Sequence, residues 1–327
     1  MAPNDATGKS TAPPRPTSGA GADTNQPGKQ PAGPPGAGQQ MDPRIVQQQR
    51  VVQQRLKDID RILVVMSGKG GVGKSSVAAS LAVKLAEQGK QVGLLDMDLT
   101  GPDLPKFMGV EKAEIGGGEK GMTPVRPREN LKLMSLAYLL PDPNQAVVWR
   151  GPMKMGAIRQ LITEVDWGRL DYLVIDLPPG TSDEPLSIAQ SVPDVDGVVI
   201  VTTPHSVSIL DVRKSISFAR QLGLHVLGLI ENMSGLACPH CDKEIPLFGK
   251  GLGKDLAEEV GIGFLGAVPI DPEAASDSGR ASVPAMIRPG SPASAAFDGV
   301  VEHIVKAVQA RPARKRPSPG TGPLKMA

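Results

Sequence analysis

Eight consecutive residues, Gly68-Lys69-Gly70-Gly71-Val72-Gly73-Lys74-Ser75, have the spacing G-x-x-x-x-G-K-[ST] of a loop that wraps phosphate. Without Cβ atoms in the way, successive backbone N–H groups converge on phosphate oxygens, and the helix that follows adds the positive end of its dipole. Lys74 then reaches the outer phosphates, and Ser75 an accompanying Mg²⁺, with Ser76 in the same first turn. Asp96 and Asp98 follow the apolar run Val92–Leu95, and Asp176 follows Tyr172–Ile175. Carboxylates at strand ends beside a phosphate loop hold Mg²⁺ directly or through its waters, and one of them can orient or deprotonate the attacking water. Asp176, which leads into Leu177-Pro178-Pro179-Gly180-Thr181, is assigned with Ser75 to the Mg²⁺ shell, Asp98 to the attacking water and Asp96 to either role. The chemistry implied is binding and hydrolysis of a nucleoside triphosphate such as ATP.

A second set of reactive side chains lies in Cys238-Pro239-His240-Cys241, which holds the only two cysteines of the chain. C-x-x-C serves as a redox disulfide, as half of a zinc site or as half of an iron-sulfur ligand set. A redox motif belongs where a strand meets a helix. This pair instead follows Asn232-Met233-Ser234-Gly235-Leu236, which reads as a loop, and precedes the polar Asp242-Lys243-Glu244. Tetrahedral Zn²⁺ and a [4Fe–4S] cluster usually take four protein ligands, so two chains related by a twofold axis would supply the set that one chain cannot. His240 is available as a further ligand or as a partner for the loop backbone.

The elements that must position these groups are strands and helices in alternation. Ile62–Met66 precedes the glycine loop, and apolar runs recur at Val92–Leu95, Leu131–Leu136, Tyr172–Ile175, Val198–Val201, Val226–Ile230 and Phe264–Val268. Most are continuously apolar, as for strands covered on both faces. Helical spacing appears at Val77–Gln88, Met153–Glu164, Ser206–Leu222 and Leu252–Val260, with a short helix over 46–58 leading into the first strand. The expected fold is α/β: a doubly wound, mainly parallel sheet with ligand at the carboxyl ends of its strands. One side of Asp298–Ala310 carries Val300, Val301, Ile304, Val305 and Val308 without aromatic anchors or a row of cations, so it is expected to pack on the sheet and not on a membrane.

Residues 1–45 are rich in Pro, Gly, Gln, Ala and Thr, and they read as a disordered tail, as do residues 311–327. That leaves 46–310 as a single NTPase domain. Lys and Arg exceed Asp and Glu by 3 in residues 1–58 and by 5 in 311–327, whereas the remainder carries −6. An acidic body speaks against a nucleic-acid-binding face. No stretch reaches the length and apolarity of a membrane span and the N-terminus lacks the apolar core of a signal peptide, so a cytoplasmic protein with no membrane partner is expected.

Several segments go beyond a generic phosphate loop: GKGGVGKSS, DMDLTGPD, WRGPMKMGAIRQL, DYLVIDLPPGTSDEPLSIAQ, VVIVTTPHSVSILDVRKSISF, ENMSGLACPHC and FLGAVPIDP. Lys69 is superfluous for closing the loop and poorly placed to add to Lys74 on the same phosphate. With it the loop resembles that of the deviant Walker A, MinD-like P-loop NTPases, whose signature lysine contacts nucleotide on the opposite subunit of a face-to-face dimer. From about residue 57 to 309 the chain is similar to the Mrp (ApbC) family of iron-sulfur carrier ATPases. That resemblance implies a homodimer using ATP and Mg²⁺, a labile [4Fe–4S] cluster on paired Cys238 and Cys241, transfer to apo iron-sulfur proteins, and contact of Asn232 with the adenine. It makes Lys69, Lys74 and Asp98 the catalytic set, with Gly68, Gly70, Gly71, Val72, Gly73, Ser75, Ser76, Asp96 and Asp176 around the nucleotide. Slow hydrolysis is expected of a protein whose nucleotide times a conformational change. The alternative is a spatial-switch ATPase of the MinD or ParA kind acting on membrane or DNA, which shares the phosphate site and leaves the cysteines unexplained. Members commonly carry Ser where this chain has Asp103 after Gly101-Pro102, and neither a small N-terminal domain nor an N-terminal cysteine cluster is found here.

Overall fold

The computed structural model describes residues 43–98, 101–118, 121–140, 151–181, 183–192, 194–237, 241, 243–272 and 284–312. The remaining parts of the two tails, Cys238 and His240 lie outside the described residues.

The central sheet has nine strands. Along its path run β10 (Glu244–Ile245), β9 (Val226–Ala237), β8 (Gly197–Thr202), β1 (Ile59–Ser67), β7 (Leu170–Asp176), β2 (Val92–Asp96), β6 (Leu131–Ser135) and β5 (Val125–Arg128), while β11 (Phe264–Ile270) pairs with β9. All neighbours are parallel except β5 and β10. For β5 the cause is local. Only Glu129 and Asn130 separate β5 from β6, and a link that short permits a hairpin but no crossover. Pro127 and Pro269, which cannot donate to a ladder, fall on β5 and β11, strands paired on one side only. A further two-stranded hairpin joins β3 (Gly116–Gly118) to β4 (Gly121–Thr123).

Both sheet faces are covered, which is why the strands read as unbroken apolar runs. On β1, Leu63 and Val65 join one core with α2 (Lys74–Glu87) and α8 (Pro292–Gln309), including the fully buried Phe297. Ile62, Val64 and Met66 join the other, with α1 (Pro43–Leu56), α4 (Gly151–Thr163), α5 (Asp183–Ser191), α6 (Ser206–Gln221) and α7 (Leu252–Val260). One short helix, α3 (Leu104–Phe107), completes the set of helices named here. Helix α8 begins earlier than its valine stripe suggested, because Ser291 accepts from the Ala293 and Ser294 N–H groups and Pro292 fits the first turn. Its buried side, Val300, Val301, Ile304 and Val308, packs in the core as expected.

One expectation is corrected. The segment Asn232–Leu236 is strand and not loop: β9 continues to Ala237, paired with Val268 and Ile270 of β11 and, at its end, with β10. It reads as loop because the strand is irregular there. Met233 and Gly235 have φ of 57° and 76°, and the β11 register shifts between Val268 and Ile270, the signature of a bulge. β9 and β10 are therefore an antiparallel pair, with Cys241 between them in sequence.

Candidate functional site

Strand order brings the predicted residues together. β1 ends in Ser67 and runs into the glycine loop, its neighbour β7 ends in Asp176, and the next strand, β2, ends in Asp96, which is directly paired with Asp176. The loop then enters α2 through Gly73, whose φ of 83° lies in the left-handed region that glycine adopts without strain. No side chain caps this helix, so the first-turn N–H groups of Lys74, Ser75 and Ser76 face outward uncommitted by a cap. A Cβ at Gly70 or Gly71 would meet nothing within 4 Å, whereas one at Gly68 would lie 2.5 Å from the Asp211 carbonyl carbon of α6. The loop is open on the side where phosphate would lie and fixed on the other.

Lys74 is buried, and its Nζ lies 2.6 Å from Asp176 Oδ1, 3.7 Å from Asp98 Oδ2 and 3.2 Å from Ser75 Oγ. Asp176 Oδ2, fully buried, has no hydrogen-bond partner among the described residues. Asp96 accepts from the Ser135 hydroxyl at 2.9 Å and from the Asp98 N–H at 3.1 Å. Burial, reinforced by the charge of Asp176, pushes the Asp96 carboxyl up to about 8. Burial also raises Asp176, but Lys74 opposes the rise. Of the two carboxylates side by side, Asp176 has the Lys74 ammonium on it and Asp96 has none in contact, and Asp96 holds a proton at neutral pH.

On the far side of the loop, Asn232 Nδ2 donates to the Val72 carbonyl oxygen at 2.9 Å, and a Cβ at Gly73 would overlap that amide. Asn232 thus joins the phosphate loop to β9. One residue earlier, buried Glu231 accepts from Ser234 Oγ at 2.6 Å and from the Gly251 and Gly253 N–H groups at 2.9 and 2.6 Å, tying β9 to the start of α7. Lys69 stands apart from the carboxylate cluster. It is partly exposed, and its carbonyl accepts from Ser67 Oγ at 2.9 Å. Asp103 is exposed at the start of α3 and makes no capping bond there. Of the cysteine pair, Cys241 is a free, exposed thiol in the β9–β10 connection.

Ser135 and Glu231 escape a reading of the sequence alone. Ser135 ends the strand next to the one ending in Asp96, a position only the strand order reveals. Glu231 falls between the apolar run Val226–Ile230 and the segment 232–236 that reads as loop, with nothing local to mark its role.

The profile of the NUBPL iron-transfer P-loop NTPases, within the ParA group, matches residues 58–305. The chain belongs to this family. Among relatives of this NUBPL-type NTPase, the iron-sulfur cluster carrier protein of Methanocaldococcus jannaschii is 47% identical over 82% of this chain and 91% of its own. The carrier of Saccharolobus solfataricus is 46% identical over 79% and 87%, and a cytosolic Fe-S cluster assembly factor of Yarrowia lipolytica is 52% identical over 67% and 77%. In structure, the NUBPL-type chain is similar to the nucleotide-binding protein of Archaeoglobus fulgidus in complex with ADP, with a TM-score of 0.63 and 41% identity over 72% of this chain and 92% of that one. The cell division ATPase MinD of Pyrococcus furiosus shares the fold, with a TM-score of 0.51 and 24% identity over 76% and 99%.

Proposed function

We propose that this chain is an ATP-dependent iron-sulfur cluster carrier that holds a labile [4Fe–4S] cluster on Cys238 and Cys241 of two subunits and passes it to apo iron-sulfur proteins in the cytoplasm. The single observation that carries this reading is β9: Asn232 on this strand is bonded to the phosphate loop, and five residues later the strand ends at the cysteine connection. One element that reaches both the phosphate loop and the cysteines supports a carrier in which nucleotide state acts on the cargo. Relatives of high identity that are named iron-sulfur cluster carriers support the same assignment.

At the nucleotide, the loop N–H groups and Lys74 bind the phosphates, and Asn232 faces the base. To reach a phosphate, Lys74 must leave Asp176, whose carboxylate then needs another cation. The buried, unpartnered Asp176 Oδ2 and the Ser75 hydroxyl are hard oxygen donors that fit Mg²⁺. When bound, that ion supplies charge neutralisation at the β- and γ-phosphates. Asp98, whose carboxylate lies within 3.7 Å of Lys74, orients the attacking water and accepts its proton. Protonated Asp96 keeps the cluster from holding three negative charges at once. Lys69 contacts the nucleotide of the second subunit, which makes hydrolysis by an isolated chain slow.

At the cysteines, metal binding requires both thiols as thiolates, so loading weakens as pH falls. The test is iron, acid-labile sulfide and zinc per chain on anaerobically prepared protein before and after reconstitution, beside the Cys238→Ala/Cys241→Ala variant. The expected result is iron and sulfide each near two per chain, absent from the variant. Zinc near one half per chain would make the bridge structural, and no metal in either protein would sink the carrier reading in favour of a spatial-switch ATPase.

A further inference from the structure

Glu231 takes no part in the nucleotide chemistry, yet its carboxylate is fully enclosed, a setting that costs stability unless donors surround it. Three do. Ser234 Oγ at 2.6 Å and the Gly251 N–H at 2.9 Å donate to Oε1, and the Gly253 N–H donates to Oε2 at 2.6 Å. Gly251 is the N-cap of α7 and Gly253 lies in its first turn, so a residue of β9 caps a helix from a distant part of the chain.

Neither packing nor capping by itself calls for this arrangement. Leu229 of β9 already packs in one core with Leu256 and Ala257 of α7. A helix of this molecule can also cap itself, as α8 does through Ser291. Helix α7 instead has Gly251 at its N-cap and makes no side-chain capping bond of its own, and at Gly253 a Cβ would lie 2.9 Å from Glu231 Oε2. The start of α7 is shaped to receive a carboxylate from another element.

Three connections meet at Glu231. Successive side chains of a strand point to opposite faces, so Glu231 faces α7 while Asn232 faces the phosphate loop and donates to the Val72 carbonyl oxygen. The bond to Ser234 spans left-handed Met233 and so pins the irregular part of β9 that leads toward the cysteines. β10, which follows Cys241, is joined to α7 by residues 246–251. The carboxylate therefore ties the strand that precedes the cysteines to the helix that follows them, back to back with the residue that is bonded to the phosphate loop.

We propose that Glu231 is a positioning residue that links the phosphate loop to the cysteine segment, an inference that rests on the carrier reading above and names the side chain through which nucleotide acts on the thiols. A shift of Asn232 as the loop closes on phosphate turns β9 about its own axis. With the carboxylate bonded, that turn draws the start of α7 along with it, and through residues 246–251 the β10 strand as well. Without the carboxylate, β9 turns alone.

The test uses the full, metal-free chain and reads the rate at which iodoacetamide alkylates Cys241, by peptide mass, with and without Mg-ATP. In the wild type Mg-ATP is expected to change that rate about fivefold or more, the low end of a coupling between two sites. Glu231→Gln keeps the side-chain volume but sets its amide nitrogen, a donor, against the Gly251 or Gly253 N–H, and is expected to bring the ratio of the two rates close to unity with ATP affinity kept within about threefold. A residue that only supported the fold would lower melting temperature, ATP affinity and thiol response together. Arg213→Ala, which breaks the exposed ion pair of α6 with Glu259 of α7, is expected to keep the full response. Should Glu231→Gln melt early, Ser234→Ala, which removes one donor and leaves α7 capped, is read in its place and is expected to diminish the response. A full response in the folded Glu231 or Ser234 variant overturns the assignment. So does a loss of response in Arg213→Ala, which would put the link in the packing of α6 on α7. A wild type without any response overturns the coupling itself, while the iron and sulfide analysis above decides the carrier reading independently.

Discussion

The nucleotide site and the cysteine hairpin are built in opposite ways. The first is interior: Lys74, Asp96, Asp98 and Asp176 are buried, with Asp96 and Asp176 at the ends of strands paired on both sides, Asp98 just beyond one of them and Lys74 at the start of α2. The second is peripheral, with an exposed Cys241 in a connection to a two-residue edge strand surrounded by exposed apolar side chains. An interior site has its geometry set by the fold of one chain, so its groups interact strongly and are costly to alter. A peripheral site borrows geometry from what docks on it, and its own residues can be exchanged with little effect on folding.

The sharpest way to break that contrast is at the cysteines. Cys241→Ala is expected to abolish cluster loading while leaving stability within about 0.5 kcal/mol, as for surface substitutions, which iron analysis and thermal melting measure together. A large loss of stability would show that the hairpin is part of the folded core. Next in size is Lys74→Ala, which removes a charge-assisted phosphate contact and should weaken ATP binding about 10- to 100-fold by titration calorimetry. It also leaves Asp176 without its counter-charge, so the melting temperature should fall as well, which no cysteine substitution should cause.

Gly73→Ala probes the packing between the loop and β9. The left-handed φ and the overlap with the Asn232 amide together should cost on the order of 1–3 kcal/mol, visible in urea denaturation, along with weakened nucleotide binding. Tolerance of alanine there would mean that Asn232 is free to move away. The smallest effect separates the interior charges. Asp96 is protonated in the folded chain up to about pH 8 but ionised in the unfolded chain above its ordinary value of 3.8, so the folded state binds the extra proton between those values and this residue lowers stability progressively as pH rises through that window. Asp96→Asn should therefore raise the melting temperature by roughly 2–4 °C near pH 8, with a smaller gain at pH 5. Equal gains at both values would show that Asp96 is already ionised at pH 5.

Much of this contrast is legible in the sequence for physical reasons. The glycine spacing and the apolar strands covered on both faces leave few alternatives, and the carboxylates at their ends fall on one edge once the strands are parallel. Beyond that, local pattern fails where long-range pairing decides. Asn232–Leu236 contains two left-handed residues and reads as loop, yet pairing with β11 makes it strand. Ser135 becomes part of the site only because β6 is placed beside β2. β5 and β10 are short edge elements, too brief for a period to register. Cys238 and Cys241 are visible by type and spacing, while their peripheral setting follows from the hairpin.

The bulge in β9 also sets where the chain can change length. Alternate residues of a strand face opposite sides, so deleting one residue between Asn232 and Ala237 would turn the end of the strand over and misalign its pairing with Glu244 and Ile270. An added residue between Ala237, where β9 ends, and Glu244, where β10 begins, leaves both ladders in register. Insertions between these two strands are thus separated from the phosphate loop by a strand end whose register a change of length would break, and the hairpin can be re-engineered in length without disturbing that loop.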